Sequence, residues 1–345
     1  MSQANHRFKL ICTVGPASRD PVVLRKMEEM GANIFRINLS HTPLEELEAR
    51  VRAIRAATEV PICLDTEGAQ IRTGRMEGGR VDLEEGRTIH LVPYEAAGTA
   101  RRMSLYPAKA FDLLEPGMVL NVDFDTCVLS VQERTGEGYL ARITRGGRVG
   151  SNKGVAADRD LPLEPLTEKD RKAVALARRL GIRLYSYSFC ADAAAVRLLR
   201  GQVGDDAEIL SKIESRSSLA HLEEIIEESD ALLIDRGDLS RSIPPEEIPA
   251  VQKYVVRKAH QRPLPVYVAT NLLESMVELP YPTRAEANDI ANTLLDGANG
   301  LVLAAETAVG KYPVECVGMV MRLVHRYHGQ TDSMERLFFE ERAQK

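Results

Sequence analysis

The chain has 345 residues, 44% apolar and 28% charged, with a formal net charge of −5; these values are ordinary for a globular protein and fit disordered or fibrous classes poorly. The net charge argues against general affinity for nucleic acid. With no apolar run of about 18 residues and no apolar signal core in the N-terminal Met-Ser-Gln-Ala-Asn-His-Arg, the expectation is a cytoplasmic protein without membrane spans.

Phe8 to Val14 is an apolar run ended by Gly15-Pro16, and Pro21 to Met30 carries apolar residues at helical spacing and closes at Gly31, which predicts a strand and then a helix. A strand over Asn33 to Asn38, a helix over Pro43 to Ala57 and a strand over Pro61 to Asp65 follow. That alternation indicates a parallel sheet. The five cysteines are widely spaced, with Cys12 and Cys63 inside strand-like runs, and read as buried free thiols rather than as disulfides or a zinc site.

The character changes after Thr73-Gly74. Short β-rich segments (Arg87 to Pro93, Met118 to Val122, Thr126 to Gln132, Tyr139 to Thr144) are separated by turn residues, and residues 75–155 read as a small all-β domain inserted into the α/β frame. Gly136-Glu-Gly-Tyr-Leu-Ala141 has the look of a dinucleotide fingerprint, but no helix follows it, so a hairpin turn is expected.

From Thr167 the alternation resumes, with helices over Glu168 to Leu180, Ala191 to Arg200, Ser217 to Glu227, Ile248 to Gln261, Arg284 to Leu295 and Val314 to Tyr327. The strands between them are Arg183 to Phe189, Glu208 to Glu214, Ala231 to Asp235, Val266 to Thr270 and Gly300 to Ala304. Thr283-Arg-Ala-Glu286 is a capping box for its helix. Eight strands with one insertion after the third predict a (β/α)8 TIM barrel, 1–74 and 156–345, whose chemistry lies at the C-terminal ends of the strands.

Those ends are rich in chemistry: Arg36, Asn38, Ser40 and His41; Asp65 and Thr66; Lys212 and Glu214; Arg236 and Asp238; Thr270; and Glu306. Lys212 and Glu214 share a strand face by the period-two rule, and a buried pair of charges needs a partner, a metal or a ligand. Glu214 and Asp238, from adjacent strands, suit a hard divalent cation. Gly237 allows backbone N–H groups to approach an anion closely. There is no Gly-x-x-x-x-Gly-Lys-[Ser/Thr] loop, so any bound phosphate falls to scattered cations, with Arg36, Arg72, Lys153 and Lys212 as candidates.

Ile11-Cys-Thr-Val-Gly-Pro-Ala-Ser18, Arg36-Ile-Asn-Leu-Ser-His41, Leu64-Asp-Thr-Glu-Gly-Ala-Gln-Ile-Arg-Thr-Gly74, Ser151-Asn-Lys-Gly154, Ser211-Lys-Ile-Glu214, Arg236-Gly-Asp-Leu239, Ala269-Thr-Asn-Leu-Leu-Glu-Ser-Met276, Pro282-Thr-Arg-Ala-Glu286 and Glu306-Thr-Ala308 together resemble pyruvate kinase, in that family's order. The resemblance implies a phosphotransferase that converts phosphoenolpyruvate and ADP to pyruvate and ATP, with the inserted domain as a lid over the nucleotide. It implies Mg2+ (or Mn2+) on Glu214 and Asp238, and K+ on Asn38, Ser40, Asp65 and Thr66. Arg36, Lys212 and Thr270 match catalytic positions, and with Gly237 and Asp238 they match the substrate contacts. Asn38, His41, Arg72 and Lys153 match the nucleotide side. A homodimer through the barrel domain is a further implication, as is the absence of a C-terminal regulatory domain, since the chain stops soon after Leu337-Phe-Phe-Glu-Glu341.

Six residues in four places depart from the family pattern. Glu67 stands where Lys, Arg or Gln is usual, Ala69-Gln70 replaces Pro-Glu or Pro-Lys, Asp235 replaces a small apolar residue and Ala304-Ala305 replaces Ser-Gly. The two added carboxylates, Glu67 and Asp235, either disfavour polyanions or are compensated by pairing with Arg236 or with nearby basic groups. An alternative expectation is therefore a metal-dependent aldolase or 2-oxo-acid decarboxylase that works through a pyruvate enolate without nucleotide. A non-catalytic binding protein is a third.

Overall fold

The structure is a computed structural model that describes residues 8–123, 126–159 and 161–327; the N-terminal heptapeptide and the Leu337 to Glu341 segment lie outside the described residues. Eight parallel strands close into a barrel: β1 (Lys9–Thr13), β2 (Ile34–Asn38), β3 (Ile62–Asp65), β4 (Leu184–Tyr187), β5 (Glu208–Ile213), β6 (Ala231–Asp235), β7 (Val266–Ala269) and β8 (Gly300–Leu303). Each pairs with its neighbour in sequence, and β8 closes on β1. The expected (β/α)8 barrel is therefore the fold.

Pleating sorts the side chains of every strand into two sets. Phe35 and Ile37, Leu64, Ile209 and Ile213, and Leu232 and Ile234 join the large core between strands and helices. The alternate positions form a second cluster with members from all eight strands, including Ile11, Ile34, Cys63, Leu184, Leu210, Leu233, Tyr267 and Val302, which is the floor inside the barrel. One step further along the same faces toward the C-terminal ends stand Arg36, Asp65, Ser186, Lys212 and Asp235, all buried. A layer of charge thus rests directly on an apolar floor, which confines ionic chemistry to one end of the barrel.

Between β3 and β4, seven strands from Ile71–Thr73 to Gly154–Ala157 close a second, smaller barrel. Its first and last strands pair antiparallel with each other, Gly154 opposite Arg72, because both crossings between the barrels must satisfy their backbone groups. Its strands therefore run slightly beyond the expected 75–155. The turn at Gly136-Glu137 joins the hairpin that pairs Thr135 with Gly138. All five cysteines are buried and free, and among the described residues no helix is long and apolar enough to cross a membrane.

Local differences from the expected elements have local causes. The expected helix from Ser217 to Glu227 is two helices, Arg216–Ala220 and Leu222–Glu228, broken at His221, whose ring Nδ1 lies 3.1 Å from the Ser217 carbonyl oxygen. Ser40 lies beyond the end of β2. The Asn38 side chain accepts from the Ser40 N–H and turns the chain into a 3-10 helix over Leu39–His41.

Candidate active site

Lys212 is the centre of the charged layer. Its Nζ lies 2.8 Å from Glu214 Oε2 and 3.0 Å from Asp235 Oδ2, and it donates to Ser188 Oγ at 3.3 Å. Burial opposes its charge, but Asp235 and Glu214 hold its pKa well above the ordinary lysine value. Burial pushes the Glu214 carboxyl up to about 8, with Asp238 and Asp235 adding to the effect and Lys212 opposing it. For Asp235 burial also acts upward, and Lys212 together with the Thr270 hydroxyl outweighs it, leaving this carboxyl below the usual range.

Arg36 forms the second pair. Its guanidinium lies 3.0 Å from Asp65 Oδ2, and although burial works against its charge, Asp65 and Asp235 raise its pKa. Asp238, on the short helix Arg236–Leu239, lies 2.7 Å from Arg241.

Three carboxylates, from the residue after β5, the last residue of β6 and the short helix that follows it, therefore converge. Glu214, Asp235 and Asp238 each offer one oxygen, and these oxygens all lie within 4.8 Å of one another. Glu214 Oε2 is buried and makes no hydrogen bond beyond its ion pair. An all-oxygen donor set with one atom still short of partners fits a hard divalent cation.

Thr270 is held by three consecutive residues of the neighbouring strand end. Its hydroxyl donates to Asp235 Oδ1 at 2.6 Å. Its carbonyl accepts from Arg236 Nη2 at 2.7 Å, and Arg236 is itself anchored on Asp289 at 2.8 Å. Gly237 leaves room for its methyl, since a Cβ there would lie 2.6 Å from Thr270 Cγ2. This clamp sustains a backbone φ of 80° at Thr270, an outlier for a β-branched residue. Asp235 thus pairs with a nearby basic group, Lys212, and not with Arg236.

The remaining candidates fall on the side facing the smaller barrel. Arg72 donates to Ser40 Oγ at 3.2 Å and to the Asn152 carbonyl at 2.9 Å, tying the two barrels together. His41 has its pKa lowered by partial burial and then by the positive charges of Arg72, Arg36, Lys169 and Lys153, which marks this side as cationic. Lys153 Nζ lies 3.2 Å from Asp123. Asn38 and Asp65 are opposite one another in the β2–β3 register, and Thr66 Oγ1 accepts from the Ser188 N–H at 2.9 Å. Between the barrels a cleft of about 450 Å3 opens onto Glu214, Asp238 and Arg241 on one wall and Ile71 and Val155 on the other.

Two residues that the sequence reading passed over support the site, and one that it singled out has a structural task. Asp170 is fully buried; it completes the capping box of helix Glu168–Arg179 and accepts from the Glu67 and Gly68 N–H groups at 2.7 and 3.1 Å, fixing the crossing into the smaller barrel. The Thr-x-x-Asp spacing of that capping box was the available signal. Ser188 bridges Lys212, Thr66 and Asp65. Glu306 accepts from the Leu273 and Ala304 N–H groups at 3.1 and 2.8 Å, holding the loop after β7 to the end of β8.

A family profile described as pyruvate kinase, barrel domain, matches residues 5–317. A pyruvate kinase of Agrobacterium vitis is 36% identical over 329 residues, which is 93% of this chain and 68% of the relative. The pyruvate kinase of Thermotoga maritima is 36% identical over 324 residues, covering 91% of this chain and 70% of the relative. That of Geobacillus stearothermophilus is 37% identical over 333 residues, covering 93% and 57% respectively.

Proposed function

The chain belongs to the pyruvate kinase family, and from that premise we propose that this enzyme transfers the phosphoryl group of phosphoenolpyruvate to ADP, giving pyruvate and ATP, with Mg2+ (or Mn2+) and K+ as cofactors. The observation that carries the reading is the convergence of Glu214, Asp235 and Asp238 beside Lys212 on top of the apolar barrel floor.

Glu214 and Asp238 would hold the divalent ion, which would supply positive charge to offset the negative charge of the bound substrate. Lys212 and Arg36 serve the transferred group. A loose phosphoryl transition state calls for positioning and positive charge rather than covalent chemistry, and both side chains are held in place by carboxylates before any ligand arrives. The N–H groups of Gly237 and Asp238 open a helix and have no intrahelical acceptor, so they are disposed toward a carboxylate, with Thr270 beside them. Asn38, Ser40, Asp65 and Thr66 offer the oxygen ligands for K+. The cationic side formed by Arg72, His41 and Lys153 takes the nucleotide, with the smaller barrel as its lid.

A coupled assay with phosphoenolpyruvate, ADP, Mg2+ and K+ tests the reading. Pyruvate formation that requires ADP supports it. Protein that binds Mg2+ yet forms no pyruvate under these conditions, or that decarboxylates oxaloacetate regardless of ADP, would overturn it in favour of a lyase.

A further inference from the structure

We propose that Asp235 is a specificity-determining residue that lowers the affinity of the site in proportion to the negative charge on its ligand, a reading that rests on phosphoenolpyruvate and pyruvate being the acids bound there. Asp235 is buried on the inner face of the barrel, and its two oxygens engage two of the groups that serve the substrate: Oδ2 the Lys212 ammonium at 3.0 Å and Oδ1 the Thr270 hydroxyl at 2.6 Å. The neighbouring cation that could have balanced it is used elsewhere, since Arg236 is committed to Asp289 and to the Thr270 carbonyl.

The charge count follows from the pairs. Asp65, Glu214, Asp235 and Asp238 face Arg36, Lys212 and Arg241, four carboxylates against three cations. The presence of Asp235 therefore adds one negative charge to the layer and shares Lys212 between two carboxyl groups.

A fixed negative charge repels a ligand in proportion to the ligand's own charge. Phosphoenolpyruvate carries a carboxylate plus roughly two phosphate charges near neutral pH, whereas pyruvate carries the carboxylate alone. Asp235 should therefore penalise the phosphorylated acid more than the product and narrow the difference in affinity between them.

The test is calorimetric binding of each acid at saturating Mn2+, with Mn2+ occupancy measured separately by electron paramagnetic resonance, on wild type, Asp235→Asn and Asp235→Ala. Asn keeps the size and an oxygen that can accept from Thr270, so it removes only the charge; Ala removes the charge and the contact. The expected result in both variants is phosphoenolpyruvate binding tightened on the order of 10-fold and pyruvate binding by about 2-fold. Equal shifts for both acids, no shift, or a shift in Asp235→Ala alone overturns the proposal. Wild type that binds both acids but transfers nothing to ADP overturns the proposed reaction and leaves this inference to be decided by the binding ratio. Wild type that binds neither acid overturns both.

Discussion

Replacing Lys212 by Met isolates the role of its charge in the fold, because the unbranched stem keeps its packing and only the ammonium is lost. In the wild type that ammonium, 4% exposed, neutralises two buried carboxylates, Glu214 at 2.8 Å and Asp235 at 3.0 Å. The variant leaves both with their other contacts: Asp235 keeps the Thr270 hydroxyl and Glu214 keeps the Phe189 N–H. Neither retains an ion pair, and only Asp235 still feels a nearby cation, Arg36. Breaking a buried pair from one side costs about 3–5 kcal/mol, because the remaining charge stays desolvated, and at about 2 °C per kcal/mol for a large domain the thermal midpoint should fall by about 6–10 °C. Three carboxylates without their lysine should also draw a divalent ion more strongly. Mg2+ at about 100 times its Kd returns about 2.7 kcal/mol, so scanning calorimetry with and without Mg2+ should show a larger metal-induced shift in the variant than in the wild type. A variant that melts within about 1 °C of wild type, or whose midpoint ignores Mg2+, refutes the view that Lys212 holds this charged layer together.

Other consequences are open to direct measurement. Glu214→Gln should weaken Mn2+ binding by at least about 10-fold, read by electron paramagnetic resonance, whereas unchanged binding would remove Glu214 from the metal site. With the Glu214 carboxyl pushed up to about 8, metal must displace a proton below that pH, so Mg2+ affinity should rise with pH and level off above about 8. The same raised value means that metal-free stability from this group is fully present below the unfolded value of 4.5 and is lost as pH rises through about 8, and Mg2+ should restore it; a metal-free midpoint that climbs over that window would contradict this. Asp170→Ala strips the acceptor from the Thr167, Glu67 and Gly68 N–H groups and should cost about 1–3 kcal/mol, with hydrogen exchange accelerating at Glu67 and Gly68 rather than across the barrel.

The barrel was legible because parallel strands covered on both faces are continuous apolar runs, and their C-terminal ends then name the site without any search for motifs. The Lys212–Glu214 pair followed from pleating alone, and the structure places the two groups in contact. Asp235 was visible as a departure, but its partner was not, because choosing between Arg236 and Lys212 depends on Asp289, a residue more than fifty positions away with no pattern linking the two. The positive φ of Thr270 and the helices Arg236–Leu239 and Ala305–Ala308 were hidden for a similar reason, since four-residue turns are set by tertiary contacts rather than by periodicity.

Phosphorus NMR of phosphoenolpyruvate incubated with the protein, Mg2+, K+ and ADP follows the transferred group itself. The phosphorus should leave the phosphoenolpyruvate resonance and appear as the γ-phosphate of ATP, with no turnover when ADP is omitted. Phosphoenolpyruvate that stays intact in the presence of ADP, or phosphorus that appears as inorganic phosphate whether or not ADP is present, would contradict phosphoryl transfer at this site.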